Sequence, residues 1–171
     1  FPTRRSSDLY AIPADAENAL EGEWKEGPGI DLFRAMEKAL GDMDVIAEAL
    51  GTLDEKVFDL MDETGYPGMK VLQFAFDSGN TNFYLPHRYK KNCVVYTGTH
   101  DNDTTTGWYA TASEKARDKV RRYMNTDASQ VSWDFIRTCF GSPARFAIIP
   151  VQDLFCQGSD CRMNTPGKAD G

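Results

Sequence analysis

The chain alternates between segments with a helical hydrophobic period and short, continuous apolar runs. In residues 31–40 (DLFRAMEKAL) apolar side chains recur every three or four positions, which predicts an amphipathic helix. Thr52 and Glu55 form a capping box that predicts the start of a second helix, and Gly65 follows its end. Helices are thus predicted over about 31–40, 52–64, 113–124 and 129–140.

The continuous apolar runs predict strands that are buried on both faces, as in a parallel sheet. Four such strands are predicted, over 45–47, 69–76, 92–96 and 146–151. Their alternation with helices predicts an α/β fold in which helices cover a parallel sheet. No GxGxxG phosphate turn follows any of these strands, which favours a partial (β/α)8 TIM barrel over a doubly wound sheet.

Each predicted strand ends in or near an acidic residue, namely Glu48, Asp77, Asp101 and Asp153. In such folds the working residues lie at the carboxyl ends of the strands. Carboxyl groups that converge there suit glycoside chemistry, in which a protonated acid serves the leaving oxygen and an ionised one attacks or stabilises the sugar cation.

Glu48 follows the apolar run Val45-Ile46-Ala47 directly and precedes Ala49-Leu50. We expect these neighbours to desolvate its carboxyl group and favour the protonated form, as a general acid requires. The alternative is an acid that caps the loop or pairs with a lysine or arginine.

The loop 99–104 (THDNDT) places several donors and acceptors together. His100 and Asp101 can hold adjacent hydroxyl groups of a sugar, and the acid can stabilise positive charge. Asp101, Asn102 and Asp103 could instead ligate calcium, but the EF-hand spacing and its distal glutamate are missing. A third alternative is a polar turn whose Asn and Asp side chains bond their own backbone.

Aromatic residues occur in and around these loops, at Phe74, Phe76, Phe83, Tyr84, Tyr89, Trp108 and Tyr109. Phe74 and Phe76 share a face of the predicted strand, which indicates a place in the core. Tyr84 follows Asp77 in a polar loop and is the better candidate for stacking on a sugar ring.

Composition excludes several classes of function. The 171 residues carry a net charge of −7, and the basic run 115–122 contains acids and falls on a predicted helix, which argues against nucleic-acid partners. No apolar run approaches the roughly 20 residues of a membrane helix. The four cysteines show no paired CxxC spacing, which indicates free thiols in a reducing cytoplasm and no metal site.

Residues 1–9 (FPTRRSSDL) are polar and aperiodic, and we interpret them as a non-native leader before a domain over 10–171. From Tyr10 onward the sequence resembles the amylomaltase/disproportionating enzyme family (glycoside hydrolase family 77). The segments that carry the resemblance include 46–51 (IAEALG), 65–76 (GYPGMKVLQFAF), 84–87 (YLPH), 96–105 (YTGTHDNDTT) and 162–167 (RMNTPG). THDNDTT together with PGMKVLQFAF is a specific pair.

The resemblance implies about the last four β/α units of a catalytic barrel. It implies a retaining 4-α-glucanotransferase that moves α-1,4-glucan segments between maltodextrin chains and needs no cofactor. Glu48 falls on the family's general acid/base and Asp101 on its transition-state stabiliser, with His100 binding substrate. The further expected substrate contacts are Asp77, Tyr84, Asn102 and Asn164.

The sequence departs from the family pattern in two places. Ala49 stands where the family usually has Asp, which removes a charge beside Glu48. The R-x-D-H motif that holds the family's nucleophile is also missing from the chain. Two alternatives therefore remain, a catalytically inactive glucan-binding fragment and an α-glucan hydrolase of the α-amylase type. We expect Glu48 and Asp101 to lie close together at one end of the partial barrel.

Overall fold

The computed structural model describes residues 8–50 and 55–168. The chain forms two compact units, residues 1–69 and residues 70–171. The capping box predicted at Thr52 lies outside the described residues.

The first unit opens with a short antiparallel pair of strands, β1 (Leu9–Ala11) and β2 (Glu23–Lys25). Tyr10 lies opposite Trp24, and the two rings meet edge to face with centroids 5.1 Å apart. Leu9, which the sequence interpretation placed in the leader, pairs with Lys25. The hydrophobic pattern did not predict this pair, because three-residue strands are too short to show a period of two.

Two helices of the first unit agree with the sequence prediction. Helix α1 (Ile30–Leu40) ends at Gly41, whose φ of 76° suits a residue without a side chain. Helix α2 (Glu55–Thr64) is followed by Gly65 at φ 68°. An ion pair of 2.8 Å between Arg34 and Glu63 joins the two helices.

The strand predicted at residues 45–47 is wrong in extent. Only Ala47 makes a β-bridge, in parallel with Gly68, and its amide donates to the carbonyl of Pro67 at 2.9 Å. The next turn starts at once, because the amide of Ala49 donates back to the carbonyl of Ala47. A chain that turns this early cannot extend a ladder.

The second unit is built around a sheet with strand order β3 (Gly68–Val71), β4 (Cys93–Tyr96) and β5 (Phe146–Ile148), of which β3 begins in the last two residues of the first unit. Strands β4 and β5 run parallel, with Val95 opposite Ala147. The prediction of an α/β fold with helices and a parallel sheet is confirmed.

Two of the predicted strands end earlier than expected. After Val71 the chain forms a 3-10 helix (Leu72–Ala75), because the backbone and side-chain amides of Gln73 donate to the carbonyls of Thr97 and Asp103 and not to a neighbouring strand. The run predicted over 146–151 leaves the sheet after Ile148. Pro150 has no amide hydrogen, and helix α6 (Val151–Leu154) starts directly behind it.

Of the three helices α3 (Thr105–Thr111), α4 (Glu114–Met124) and α5 (Val131–Phe140), the hydrophobic pattern predicted two and missed one. Helices α4 and α5 are confirmed. Helix α3 was not predicted, because threonine and glycine have low helix propensity. Its start is fixed by the Thr104 hydroxyl, which accepts from the amide of Gly107 at 3.1 Å.

Aromatic rings fill the space between the 3-10 helix and the helices of the second unit. Phe76 is 1 % exposed and contacts Trp108, Tyr123 and Phe135 with ring centroids 5.5–6.1 Å apart. Phe76 is therefore a core residue, as expected, although it follows a 3-10 helix and not a strand. Phe74 is only half-buried and does not share its environment.

Gly107 is required by close packing at the start of α3. A Cβ at this position would collide with the Ser159 hydroxyl and lie 2.6 Å from Asp103 Oδ1, two groups that bond each other. We expect Gly107→Ala to lower the free energy of unfolding by about 1–3 kcal/mol, since neither group can move without losing its partner. Chemical denaturation measures the loss. Gly79→Ala is the control, because a Cβ at Gly79 meets nothing within 4 Å, and equal losses in both variants would contradict the packing argument.

Candidate active site

The loop between β4 and α3, residues 97–104, carries His100 and Asp101 and is tied at both ends to one buried carboxylate. Asp153 is 1 % exposed and accepts from the Thr97 hydroxyl at 2.5 Å, the Thr105 amide at 2.7 Å and the Thr105 hydroxyl at 2.8 Å. Asp153, which the sequence grouped with the acids at strand ends, therefore fixes the two ends of the loop from inside the protein.

Further hydrogen bonds fix the middle of the loop. Asn102 Oδ1 accepts from the amide and the hydroxyl of Thr99, both at 2.8 Å. Asp103 accepts from the Ser159 hydroxyl at 2.7 Å through its side chain, and from Gln73 Nε2 at 2.8 Å through its carbonyl. The alternative of a polar turn thus describes Asn102 and Asp103, and the substrate-binding role of Asn102 stays a prediction.

His100 and Asp101 project from this fixed loop toward solvent. Their side chains are 66 % and 52 % exposed, and His100 Nε2 lies 3.4 Å from Asp101 Oδ1. A rigid backbone below exposed polar side chains is the arrangement that a binding or catalytic site needs, since the groups do not have to be ordered when a ligand arrives.

The segment RMNTPG reaches back to the same loop from more than sixty residues along the chain. Asn164 Nδ2 donates to Asp101 Oδ1 at 2.6 Å, and the Arg162 guanidinium donates to the Asp101 carbonyl at 3.0 Å. Arg162 also donates to the Asn164 carbonyl at 3.1 Å, which holds the segment in place. The structure therefore brings together three of the predicted site residues, His100, Asp101 and Asn164.

Asp77 is exposed and lies in a loop that Lys119 holds through hydrogen bonds. The Lys119 ammonium donates to the carbonyls of Ala75, Ser78 and Gly79 at 2.6–3.1 Å. Burial lowers the pKa of Lys119, and the negative charge of Asp77 opposes that shift. The contact of Asp77 with substrate stays a prediction.

Tyr84 does not offer the ring face that was expected of it. Its side chain is 7 % exposed, with Phe83 at a centroid distance of 4.2 Å and Phe74 at 5.3 Å. Little of the Tyr84 ring is thus open to solvent, and its contact with substrate stays a prediction. Phe83 is the exposed ring of the three, at 38 %.

Glu48 belongs to the first unit, directly after the bridge between Ala47 and Gly68. It is exposed, and Ile46 beside it is 42 % exposed. The expectation that apolar neighbours bury Glu48 is therefore wrong, because only Ala49 among them packs inward, at 9 % exposure. Its catalytic role and its closeness to Asp101 stay predictions.

Within the described ranges 8–50 and 55–168, no group of three or more His, Cys, Asp or Glu side chains is arranged to hold a metal ion. Over the same residues no helix is long and apolar enough to cross a bilayer. In the loop 99–104 the oxygens of Asn102 and Asp103 already accept hydrogen bonds from protein donors. These hydrogen bonds support the alternative of a polar turn for Asn102 and Asp103.

Sequence reasoning missed Arg162 and the role of Asp153 in this site. The signal for Arg162 was its place in RMNTPG, next to the predicted Asn164. The sequence did mark Asp153 as an acid near a strand end, but it could not show the structural role of this residue, because its partners Thr97 and Thr105 are 56 and 48 residues away.

The fold and the site together indicate a class of enzyme. A carboxylate and an imidazole stand exposed on one hydrogen-bonded loop behind the carboxyl end of a parallel strand, and the amide of Asn164 contacts the carboxylate from a distant segment. This end of the strand is where α/β enzymes of the barrel type place their chemistry. The matching family model, described as 4-alpha-glucanotransferase (glycoside hydrolase family 77), covers residues 6–171. The chain belongs to this family.

Relatives and a solved structure agree with the family. The chain is 47% identical to the 4-alpha-glucanotransferase of Synechocystis sp., covering 98% of this chain and 34% of that protein. It is 44% identical to the chloroplastic/amyloplastic 4-alpha-glucanotransferase of Arabidopsis thaliana, covering 98% of this chain and 29% of that protein. The amylomaltase from Streptococcus agalactiae in complex with acarbose superposes with a TM-score of 0.90 at 34% identity, over 95% of this chain and 33% of that one. The chain spans about a third of the length of these relatives.

Proposed function

We propose that this chain contributes the acid/base and the stabilising carboxylate of a 4-α-glucanotransferase, which transfers α-1,4-glucan segments between maltodextrin chains. The observation that carries the proposal is the contact between two distant family motifs, in which Asn164 and Arg162 hold Asp101. The hydrogen bond from Asn164 fixes the orientation of the Asp101 carboxylate, while half of that side chain remains open to a ligand.

In the proposed mechanism Glu48 donates its proton to the glycosidic oxygen as the bond between that oxygen and C1 breaks. A second carboxylate, which the family carries in its R-x-D-H motif, bonds to C1 and forms a glycosyl ester. Glu48, now ionised, takes the proton of an acceptor 4-hydroxyl while the acceptor oxygen displaces the ester. Two inversions retain the configuration, for which the acid and the nucleophile must lie about 5–5.5 Å apart.

Asp101 and His100 have separate tasks in this proposal. The positive charge that develops at C1 and the ring oxygen is stabilised by the ionised Asp101, whose position is set before the substrate binds. His100, 3.4 Å from Asp101, binds a neighbouring sugar hydroxyl. Asp77, Asn102 and Asn164 are proposed as weaker substrate contacts.

We also propose that the sheet β3–β4–β5 is part of a (β/α)8 barrel, of which the chain supplies about the last four β/α units. The support is the order of the strands, which are neighbours in space in the same order as along the chain, and the similarity to the amylomaltase structure. The proposed location is the cytoplasm, and the proposed ligand is a neutral α-glucan.

The test is to join the chain to a segment that contains the family's R-x-D-H motif, incubate this protein with maltotriose and analyse the products by chromatography. Transfer gives glucose together with maltopentaose and longer chains. Glucose and maltose without longer products would show a hydrolase of the α-amylase type. The absence of all products, together with measurable binding of maltohexaose, would show a glucan-binding chain without catalysis, and the proposed transfer by this chain would be wrong.

A further inference from the structure

A groove of about 560 Å³ in the second unit is lined in part by helix α3, which follows the loop that carries Asp101, and none of the residues discussed above as site residues lines it. Its walls come from α3, from the turn before α5 with the first turn of that helix, and from the residue Cys156 behind α6. Its volume is in the range of about 300–1,000 Å³ that ligand sites occupy. The groove is therefore large enough for a ligand of several rings.

The groove lies at the same end of the sheet as the candidate site. Helix α3 begins directly after the loop 97–104, and Cys156 follows β5 by eight residues on the carboxyl side. Helix α5 leads into β5, so that its first turn lies at the end of the unit where β5 finishes.

The chemistry of the lining selects a neutral ligand with both flat apolar faces and hydroxyl groups. None of the ten described residues that line the groove carries a charge, which disfavours phosphate or peptide carboxylates. Tyr109 and Trp133 provide aromatic surface, and Trp133 is 38 % exposed although Arg137 covers part of its ring at 6.0 Å. Ser129 and Gln130 add exposed hydrogen-bonding groups beside these rings. Sugars bind to proteins through this combination of ring stacking and hydroxyl contacts.

The backbone at the groove is held in an unusual conformation at two points. Ala128 and Cys156, with φ of 61° and 52°, are two of the three non-glycine residues in the left-handed region among those described, and both line the groove. A side chain costs about 1–3 kcal/mol in this region, where glycine would fit without strain. Backbone strain of this kind gathers at ligand sites, because the surrounding structure must enforce a particular surface there.

We infer that this groove is an additional binding site for an α-1,4-glucan chain, with Tyr109 and Trp133 as its stacking surfaces. The inference rests on the proposed function, because the ligand is the substrate of that function. It assigns to the groove the part of a long glucan that extends beyond the sugar held at His100 and Asp101.

A cysteine that lines the groove can report whether a ligand is bound there. Cys156 is exposed and lines the groove, whereas Cys161 is half-buried and does not line it. Cys93 and Cys139 are buried, and burial raises the pKa of both thiols, so that they react slowly. The rate of N-ethylmaleimide labelling is measured at each cysteine by peptide mass mapping, with and without maltohexaose. Cellohexaose, which has β-1,4 bonds, serves as the control sugar.

We expect maltohexaose to slow the labelling of Cys156 at least five-fold and to leave the rate at Cys161 within two-fold, whereas cellohexaose changes neither. Trp133→Ala should weaken this protection about ten-fold, as expected for the loss of a stacking surface. Phe140→Ala is the matched control, since Phe140 is an exposed aromatic residue on the same helix, at 68 %, and lies outside the groove.

Calorimetry of the same samples separates failure of this inference from failure of the proposed function. If maltohexaose binds to the chain and Cys156 is labelled at an unchanged rate, the groove is not a glucan site and the proposed function stands. If protection extends equally to Cys161, or persists in Trp133→Ala, the inference is also wrong. If maltohexaose does not bind at all, both proposals are overturned.

Discussion

Replacing Asp153 by alanine is expected to lower the free energy of unfolding by about 3–5 kcal/mol, because three buried donors lose their acceptor together. The donors are the Thr97 hydroxyl and the amide and hydroxyl of Thr105, and both threonines are 0 % exposed. The effect should be visible as a lower midpoint concentration in urea denaturation. Tryptophan fluorescence can follow the unfolding, since Trp108 of α3 packs against the buried ring of Phe76.

Two matched variants separate the hydrogen bonds from the substitution itself. Asp153→Asn keeps the shape and one acceptor oxygen, and it should lose only about 1–2 kcal/mol. Asp160→Ala removes an exposed aspartate nearby in the sequence and should stay within about 0.5 kcal/mol of the unchanged protein. If Asp153→Ala and Asp160→Ala unfold at the same urea concentration, the hydrogen bonds of Asp153 with Thr97 and Thr105 contribute nothing to the free energy of unfolding.

In the chain joined to the family's R-x-D-H segment, replacing Asp101 by asparagine is expected to lower the rate of maltotriose disproportionation about 10²–10³-fold, since it removes a charge placed to stabilise the transition state. Asparagine keeps the size of the side chain and an oxygen that can accept from Asn164, so the loop should keep its structure. The loss should appear in kcat, with KM within a few-fold, because the charge acts mainly after the sugar is bound. Initial rates over a range of maltotriose concentrations measure both.

Asp59→Asn is the control for that experiment, because Asp59 is an exposed aspartate of α2 and the same chemical change is made there. Its rates should equal those of the unchanged chain. If the kcat of Asp101→Asn lies within three-fold of the control, Asp101 does not stabilise the transition state. If circular dichroism shows that Asp101→Asn does not fold, Asp101 has a structural role.

Elements with a long regular period could be predicted from the sequence. Helices α1, α4 and α5 have ten or eleven residues, so their apolar positions repeat several times, and their bounds agree with the prediction within about two residues. Short elements could not be predicted in this way. Helix α3 has seven residues with weak helix propensity, and its start depends on Asp153 and Thr104, which no local pattern reveals.

The apolar runs predicted the positions of the strands better than their lengths. The run 69–76 is mostly apolar, yet only its first part is a strand, because Gln73 bonds to the loop after β4. The exposure of the Glu48 side chain could not be predicted from the sequence either. Its apolar neighbours in the sequence suggested burial, but burial depends on which side chains face inward, and Glu48 is exposed.

The sequence by itself determined the family, the α/β class and the loop that holds His100 and Asp101, since these depend on local motifs and on hydrophobic period. The tertiary structure alone decided how that loop is held. The contacts of Asn164 and Arg162 with Asp101 join residues more than sixty positions apart, and such contacts depend on the path of the whole chain. It also decided that Tyr84 is covered while Tyr109 and Trp133 face a groove, because the exposure of a ring is set by its neighbours in space and not by those in sequence.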